Sequence, residues 1–371
     1  MAVGGLMFRL LSLFVLAVAV AASAQDSPAS RRAQRLRHGV NVSEWFAQTG
    51  DYSPQRLRSY TKLEDVDHIK KMGFDHIRIS FDPQIFDCYR SGANCDRVQI
   101  LDDVVNRALG QDLAVLLDLH PTGDYKREIA TNEDFVQRAG VLWERIADHY
   151  AKTDPDRLFF EVMNEPELID YFHWDGVQRA LIASIRRTAP NHTIIVAGAR
   201  YSDIEDLVRL PEYSDNNLIF NFHYYEPHTF THEGASWGSA HWLRIGNLPF
   251  PATPENIAPI AAQQPDDFTR WQLTEYGLAN WNPARIEAEM AFAADWARRH
   301  SVPLICNEFG AFREHTSPED RTRWLAAVRT ALEKNHIGWT MWDYRGGFGV
   351  VRVNGNDVAE DSAVLQALGL R

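Results

Sequence analysis

The stretch "LFFEVMNEPEL", residues 158–168, is a β-prone apolar run that ends abruptly at Asn164, Glu165 and Pro166. Asn and Pro are ordinary turn residues, so a surface turn is one reading of that ending. Chemistry is the other, and it requires a second acid brought to the same place by another part of the chain.

Working outward, the same kind of run recurs at 38–42 (HGVNV), 74–80 (FDHIRIS), 113–120 (LAVLLDLH), 193–198 (TIIVAG), 217–225 (NLIFNFHYY), 302–310 (VPLICNEFG) and 337–344 (IGWTMWDY). Helical patterns separate many of them, at Leu63 to Met72, Val98 to Gly110, Glu133 to Tyr150, Asp175 to Thr188, Ala284 to His300 and Pro318 to Asn335. Asn132 and Ser317 stand where N-caps belong. The strands read as continuous apolar runs rather than alternating ones, as in a parallel sheet covered on both faces. Eight such units predict an α/β fold, a single-domain (β/α)8 TIM barrel over residues 38–371. An open doubly wound sheet is the competing architecture, but no glycine-rich phosphate loop follows the first strand.

In a barrel the C-terminal strand ends face one site. Those ends carry Asn41, Arg78, His120, Asn164 with Glu165, His223 with Tyr225, Glu308, and Trp342. Any one of these alone would be an unremarkable solvated or locally paired residue; the set is too polar for eight independent accidents of packing. Glu165 and Glu308 supply the two carboxylates that glycoside hydrolysis needs, one to protonate the leaving oxygen and one to attack or to activate water. The residues alone do not say which does which.

In their order, "HGVNVSEWF", "HIRIS", "DLH", "NEP", "FHYY", "NEFG" and "WDY" resemble the motifs of glycoside hydrolase family 5, the cellulase-type barrel glycosidases. The resemblance spans the chain after residue 37. It implies that Glu165 is the general acid/base and Glu308 the nucleophile of a retaining endo-β-1,4-glucanase, with Arg78 and Tyr225 beside Glu308 and His223 beside Glu165. It further implies Asn164 on the sugar 2-hydroxyl, His120 on a hydroxyl of the same sugar, Trp342 as the platform beneath it, and Asn41 and Trp45 in support. A β-mannanase or mixed-linkage β-glucanase is the nearest alternative. The loop at 223–242 resembles the one after strand six in some endoglucanases of the family. Trp237, His241 and Trp242 there either line further sugar subsites or only pin the loop to the barrel. The Pro-rich segment 249–267 shows no clear period and reads as a surface excursion whose course, through residue 283, the sequence does not give.

Two other classes stand beside the glycosidase. A metal-dependent barrel hydrolase could recruit His120, His223 and the glutamates, but the first strand lacks a paired-His signature. A non-catalytic sugar-binding barrel has no use for two acids. The expectation is therefore no metal and no cofactor. A net charge of −12 argues against nucleic acid as a partner. The expected partner is a β-linked polysaccharide or oligosaccharide, met by a monomer.

Arg9, the apolar run Leu10 to Ala22 and the small-residue site "ASAQD" predict a signal peptide over 1–24, too short to cross a membrane comfortably, and hence export to the periplasm or medium. Residues 25–37 read as a short disordered polar leader. Cys88 and Cys95 bracket a turn-rich loop and are expected to be bridged in an oxidising compartment, leaving Cys306 as a free, buried residue.

Overall fold

In the computed structural model, which describes residues 27–92, 95–168, 170–355 and 357–370, eight parallel strands close into a barrel in sequential order. They are β1 (His38–Phe46), β2 (His76–Phe81), β3 (Ala114–Leu119), β4 (Leu158–Glu161), β5 (Thr193–Ala197), β6 (Leu218–Tyr224), β7 (Leu304–Phe309) and β8 (Gly338–Met341), with β8 pairing back onto β1. The apolar character of the strands has a direct cause. β2, β3, β4, β5, β6 and β7 are buried along their whole length, against the barrel interior on one side and helices on the other.

The helices used below are α1 (Pro28–Ala33), α2 (Leu63–Lys71), α3 (Asp96–Gly110), α4 (Glu133–Tyr150), α5 (Tyr171–Thr188), α6 (Pro254–Ala262), α7 (Asp267–Leu278), α8 (Pro283–His300) and α9 (Pro318–Lys334). Asn132 and Ser317 cap α4 and α9 as expected, accepting from Phe135 N and Asp320 N. The chain's tryptophans go mainly to the core. Trp143 on α4 donates to Val162 O at 3.0 Å and Trp174 on α5 donates to Ala197 O at 2.9 Å. Each large apolar ring thus buries its one polar atom against a strand end and fixes the helix against the mouth of the barrel.

Two segments differ from expectation. The polar leader is partly ordered: α1, with Ser27 as its N-cap, lies across the bottom of the barrel. Ala29 and Leu36 pack with Leu116, Phe159, Ile195, Ile219 and Ile305, the lower interior layer of the strands. That apolar layer needs a lid, and a short helix supplies it with Arg31 exposed and Arg32 tied down by polar partners: its Nε binds Asp156 and its Nη1 donates to Asn191 O, both at 2.6 Å. The segment 249–267 is not an irregular excursion. Thr253 and Asn256 form a capping box that starts α6, and Asp266 caps α7. Pro259 inside α6 concealed the helical period.

Cys88 and Cys95 are bridged with Cα atoms 5.3 Å apart, and Cys306 is free and buried. The segment 1–24, read from the sequence as a signal peptide, lies outside the described residues.

Candidate active site

β4 ends at Glu161, four residues before Glu165. The chain stays beside its neighbours for two more hydrogen bonds, Val162 N to Ile195 O at 3.1 Å and Asn164 N to Leu119 O at 2.8 Å. Glu165 then adopts a left-handed backbone, φ 42°. A residue with a Cβ holds that conformation at a cost of roughly 1–3 kcal/mol, and such strain gathers at functional sites. Here it aims the carboxyl into the mouth of the barrel.

The fully buried guanidinium of Arg78, on β2, organises that mouth. Its Nη1 donates to Glu308 Oε1 at 2.6 Å, and its Nε and Nη2 each donate to Glu161 at 2.7 Å. Nη2 also lies 3.0 Å from Asp118 Oδ2. Asn41 and Asn164 accept from the same fork, both at 2.9 Å. The planar donor set of arginine suits this crossing of four strands; a lysine could not fix so many partners at once. Asn307 Nδ2 donates to Glu161 Oε2 at 2.7 Å, and Asn41 Nδ2 donates to Asn307 O at 3.0 Å. Burial acts to raise Asp118, but Arg78 and His120 outweigh it and hold the carboxyl low. For Glu161 burial wins and the shift is upward; still, both of its oxygens accept from Arg78, which favours a carboxylate.

Register puts His223 on β6 opposite Glu308 on β7. His223 Nδ1 lies 3.0 Å from Glu165 Oε1 and 3.5 Å from Glu308 Oε2. Tyr225 OH donates to Glu308 Oε2 at 2.9 Å. One oxygen each of Glu165 and Glu308 and a ring nitrogen of His223 all fall within 4.8 Å of one another. Burial would lift Glu165, but the hydrogen bond and charge of His223, with Lys126 and His120 adding, pull it down to about 2. Burial would likewise lower His223, and Glu308 and Glu165 together raise it instead. Both shifts favour a proton on the imidazole over one on the Glu165 carboxyl.

A cleft of about 1320 Å³ opens over these groups. His120, Asn164, Glu165, His223, Tyr225, Glu308 and Trp342 all line it, as do Trp237 and Trp242. Trp342 stacks on His120 with centroids 5.9 Å apart and rings 19° from parallel. His120 in turn is oriented by Asp118 at 2.9 Å. Asn41 and Arg78 lie beneath the cleft floor and act through the groups above them. Trp45 does not belong to the site. It is buried, donates to Leu57 O at 2.6 Å and stacks on Phe46. His241 is also off the wall, buried behind Trp242.

Sequence reasoning missed Asp118, Glu161 and Asn307, whose only signal is a polar residue inside an apolar strand. It also missed the far wall: Tyr201 and Asp203 after β5, and Glu226 and His228 after β6. Burial first, then Glu226, pushes Asp203 up to about 6.

The Glu165–His223–Glu308 cluster does not fit a divalent cation. Arg78 already neutralises one oxygen of Glu308 and Tyr225 occupies the other, so a metal would sit against a fixed positive charge.

The cellulase family, glycosyl hydrolase family 5, matches residues 38–347. Among curated relatives, endoglucanase 3 of Fibrobacter succinogenes is 27% identical over 348 residues, covering 88% of this chain and 52% of its own length. Cellodextrinase A of Ruminococcus flavefaciens is 28% identical over 308 residues, covering 81% of this chain and 82% of its own. Among solved structures, endoglucanase Cel5A of Thermotoga maritima superposes with a TM-score of 0.71 at 27% identity, over 92% of this chain and 99% of that one. That enzyme has been seen with cellobiose and with mannotriose. A chain with this closed barrel, these paired glutamates and a family match over most of its length belongs to glycosyl hydrolase family 5 and is an endoglucanase-like glycoside hydrolase.

Proposed function

We propose that the protein is a retaining endo-β-1,4-glucanase in which Glu308 is the nucleophile and Glu165 the acid/base. The observation that carries the reading is that one oxygen of the Glu165 carboxyl and one of the Glu308 carboxyl lie within 4.8 Å of each other. Retaining glycosidases hold the pair roughly 5–5.5 Å apart, too close for an intervening water. Glu308, fixed by Arg78 and Tyr225, attacks the anomeric carbon while Glu165 protonates the departing oxygen.

The position of the proton fits that sequence of events. The negative charge of Glu308 is the largest influence holding a proton on His223. As Glu308 bonds to carbon it loses that charge, His223 holds its proton less tightly, and the proton passes from Nδ1 to Glu165 and on to the leaving oxygen. Water then follows the reverse path as Glu308 regains its charge. The substrate is a β-linked glucan, for which Trp342 supplies the ring platform and Asn164 and His120 the hydroxyl contacts; an open cleft suits internal cleavage. The cellobiose and mannotriose complexes of the related Cel5A support a β-linked ligand. Glucan against mannan is decided by reducing-end release from a panel of soluble β-glucan, glucomannan, mannan and xylan.

The mechanism is tested by early-time NMR on a β-linked substrate. Retention gives β-anomer first; α-anomer first would remove Glu308 as nucleophile. In Glu165→Ala, azide should restore turnover of an aryl glycoside as the β-glycosyl azide. We also propose that the protein is exported, and sequencing of the mature protein should find Gln25 at its N-terminus.

A further inference from the structure

Trp242 on the cleft wall is packed, through the buried His241, against a pair of exposed rings outside the cleft. Ring contacts run outward from the nucleophile without a break: Tyr225, bonded to Glu308, meets His232 at 5.3 Å, and His232 meets Trp242 at 4.8 Å. Trp242 meets His241 at 5.9 Å, His241 meets Phe268 at 5.3 Å, and Phe268 meets Trp271 at 5.9 Å. The last two rings lie one turn apart on α7 and are 52% and 54% exposed. Polar contacts also tie this helix to the segment that carries Trp242. Arg244, just after Trp242, binds Asp266 at 2.8 Å, and Asp266 is the N-cap of α7. His241, buried between Trp242 and Phe268, is anchored to Ser239 at 2.6 Å.

Single exposed apolar side chains need no explanation, but an aromatic pair braced through a buried ring against a tryptophan of the cleft wall does. We propose that Phe268 and Trp271 form an outer binding site for a neutral β-linked polysaccharide, gripping the part of the chain that extends beyond the cleft. The inference rests on the glycanase reading above and names a feature of substrate binding outside the catalytic cleft. A pyranose offers apolar faces to rings and hydroxyl edges to polar neighbours, and exposed Asp267 and Glu275 stand beside the two aromatics on the same helix. The net charge of −12 disfavours an anionic polymer and a second copy of the same acidic chain. Attachment at two linked points raises the local concentration of polymer at the cleft and leaves the chemical step unchanged.

The test is the double variant Phe268→Ala/Trp271→Ala, compared with the wild type in two assays. In affinity electrophoresis through gels holding hydroxyethyl cellulose, the wild type should be retarded and the variant's apparent affinity should fall roughly tenfold, the size expected from two ring contacts. In kinetics, KM for hydroxyethyl cellulose should rise while kcat/KM for p-nitrophenyl β-cellobioside stays unchanged. Equal retardation of both proteins, no retardation of either, or a parallel loss on both substrates overturns the proposal. So does a change of elution volume on size exclusion, which would make the patch an interface between copies. The glycanase reading is judged separately: if the wild type hydrolyses neither substrate while only the wild type is retarded, that reading falls and the outer site stands.

Discussion

Replacing His223 with Asn keeps a neutral polar group near the Nδ1 position but removes the ring that holds a proton beside Glu165. In the native pair the proton is lost only above the ordinary imidazole range, because Glu308 and Glu165 overcome burial and raise His223. The alkaline limb of kcat/KM therefore belongs to His223. In His223→Asn the proton must reside on Glu165 itself. Burial, the largest influence on that carboxyl, is then opposed only by Lys126 and His120, so Glu165 rises from about 2 into the ordinary carboxylate range. A charge-assisted hydrogen bond of about 1.5–3 kcal/mol is enough to produce that change. The alkaline limb should move acidward by more than about one pH unit. At pH 7 the variant should lose roughly 10²–10³ in kcat/KM on cello-oligosaccharides, and recover about tenfold for each pH unit down towards pH 5. An aryl cellobioside whose phenol leaves without protonation should be far less affected in its glycosylation step. A variant-to-wild-type ratio that stays flat between pH 5 and 7 would refute the proton's place on His223 and make His223 a positioning residue alone.

Three further outcomes follow from the packing and charge. Glu233 is buried and pushed up to about 8, chiefly by burial, with Leu248 N donating to it at 3.0 Å. A carboxyl that keeps its proton in the fold but loses it in the unfolded chain makes stability fall as pH rises from its ordinary value to about 8. Glu233→Gln should flatten that fall and raise stability at pH 7 by up to about 3 kcal/mol, measured by urea denaturation across pH; an unchanged slope would contradict it. Leu36→Ala, in the layer that closes the barrel bottom, should cost about 2–4 kcal/mol; a cost under about 0.5 kcal/mol would mean that α1 does not cap that layer in solution. Dialysis against chelator should leave activity unchanged, and full loss restored by one divalent ion would move the chemistry to a metal centre.

What the sequence decided by itself was the architecture, and it singled out two acids that the fold brings to one cleft. Eight apolar runs can be buried on both faces only in a covered parallel sheet. Glu165 and Glu308 stood out because each interrupts such a run at its C-terminal end. The sequence could not show that Glu161 and Asp118, charges inside strands, share one guanidinium with Glu308. Arg78 reaches them across neighbouring strands, and nothing in linear order brings residues 78, 118, 161 and 308 together. Trp45 failed for a local reason. The pairing of β1 with β2 shifts register between Val42 and Phe46, and Glu44 takes φ 55°, so the side-chain alternation that would have turned Trp45 to the cleft is broken. α6 stayed hidden because Pro259 masks its period, although Thr253 caps it. The opposite shifts of Glu165 and His223 were likewise beyond the sequence, because the balance between burial and the charges around His223 exists only once β4, β6 and β7 have placed their side chains around one cleft.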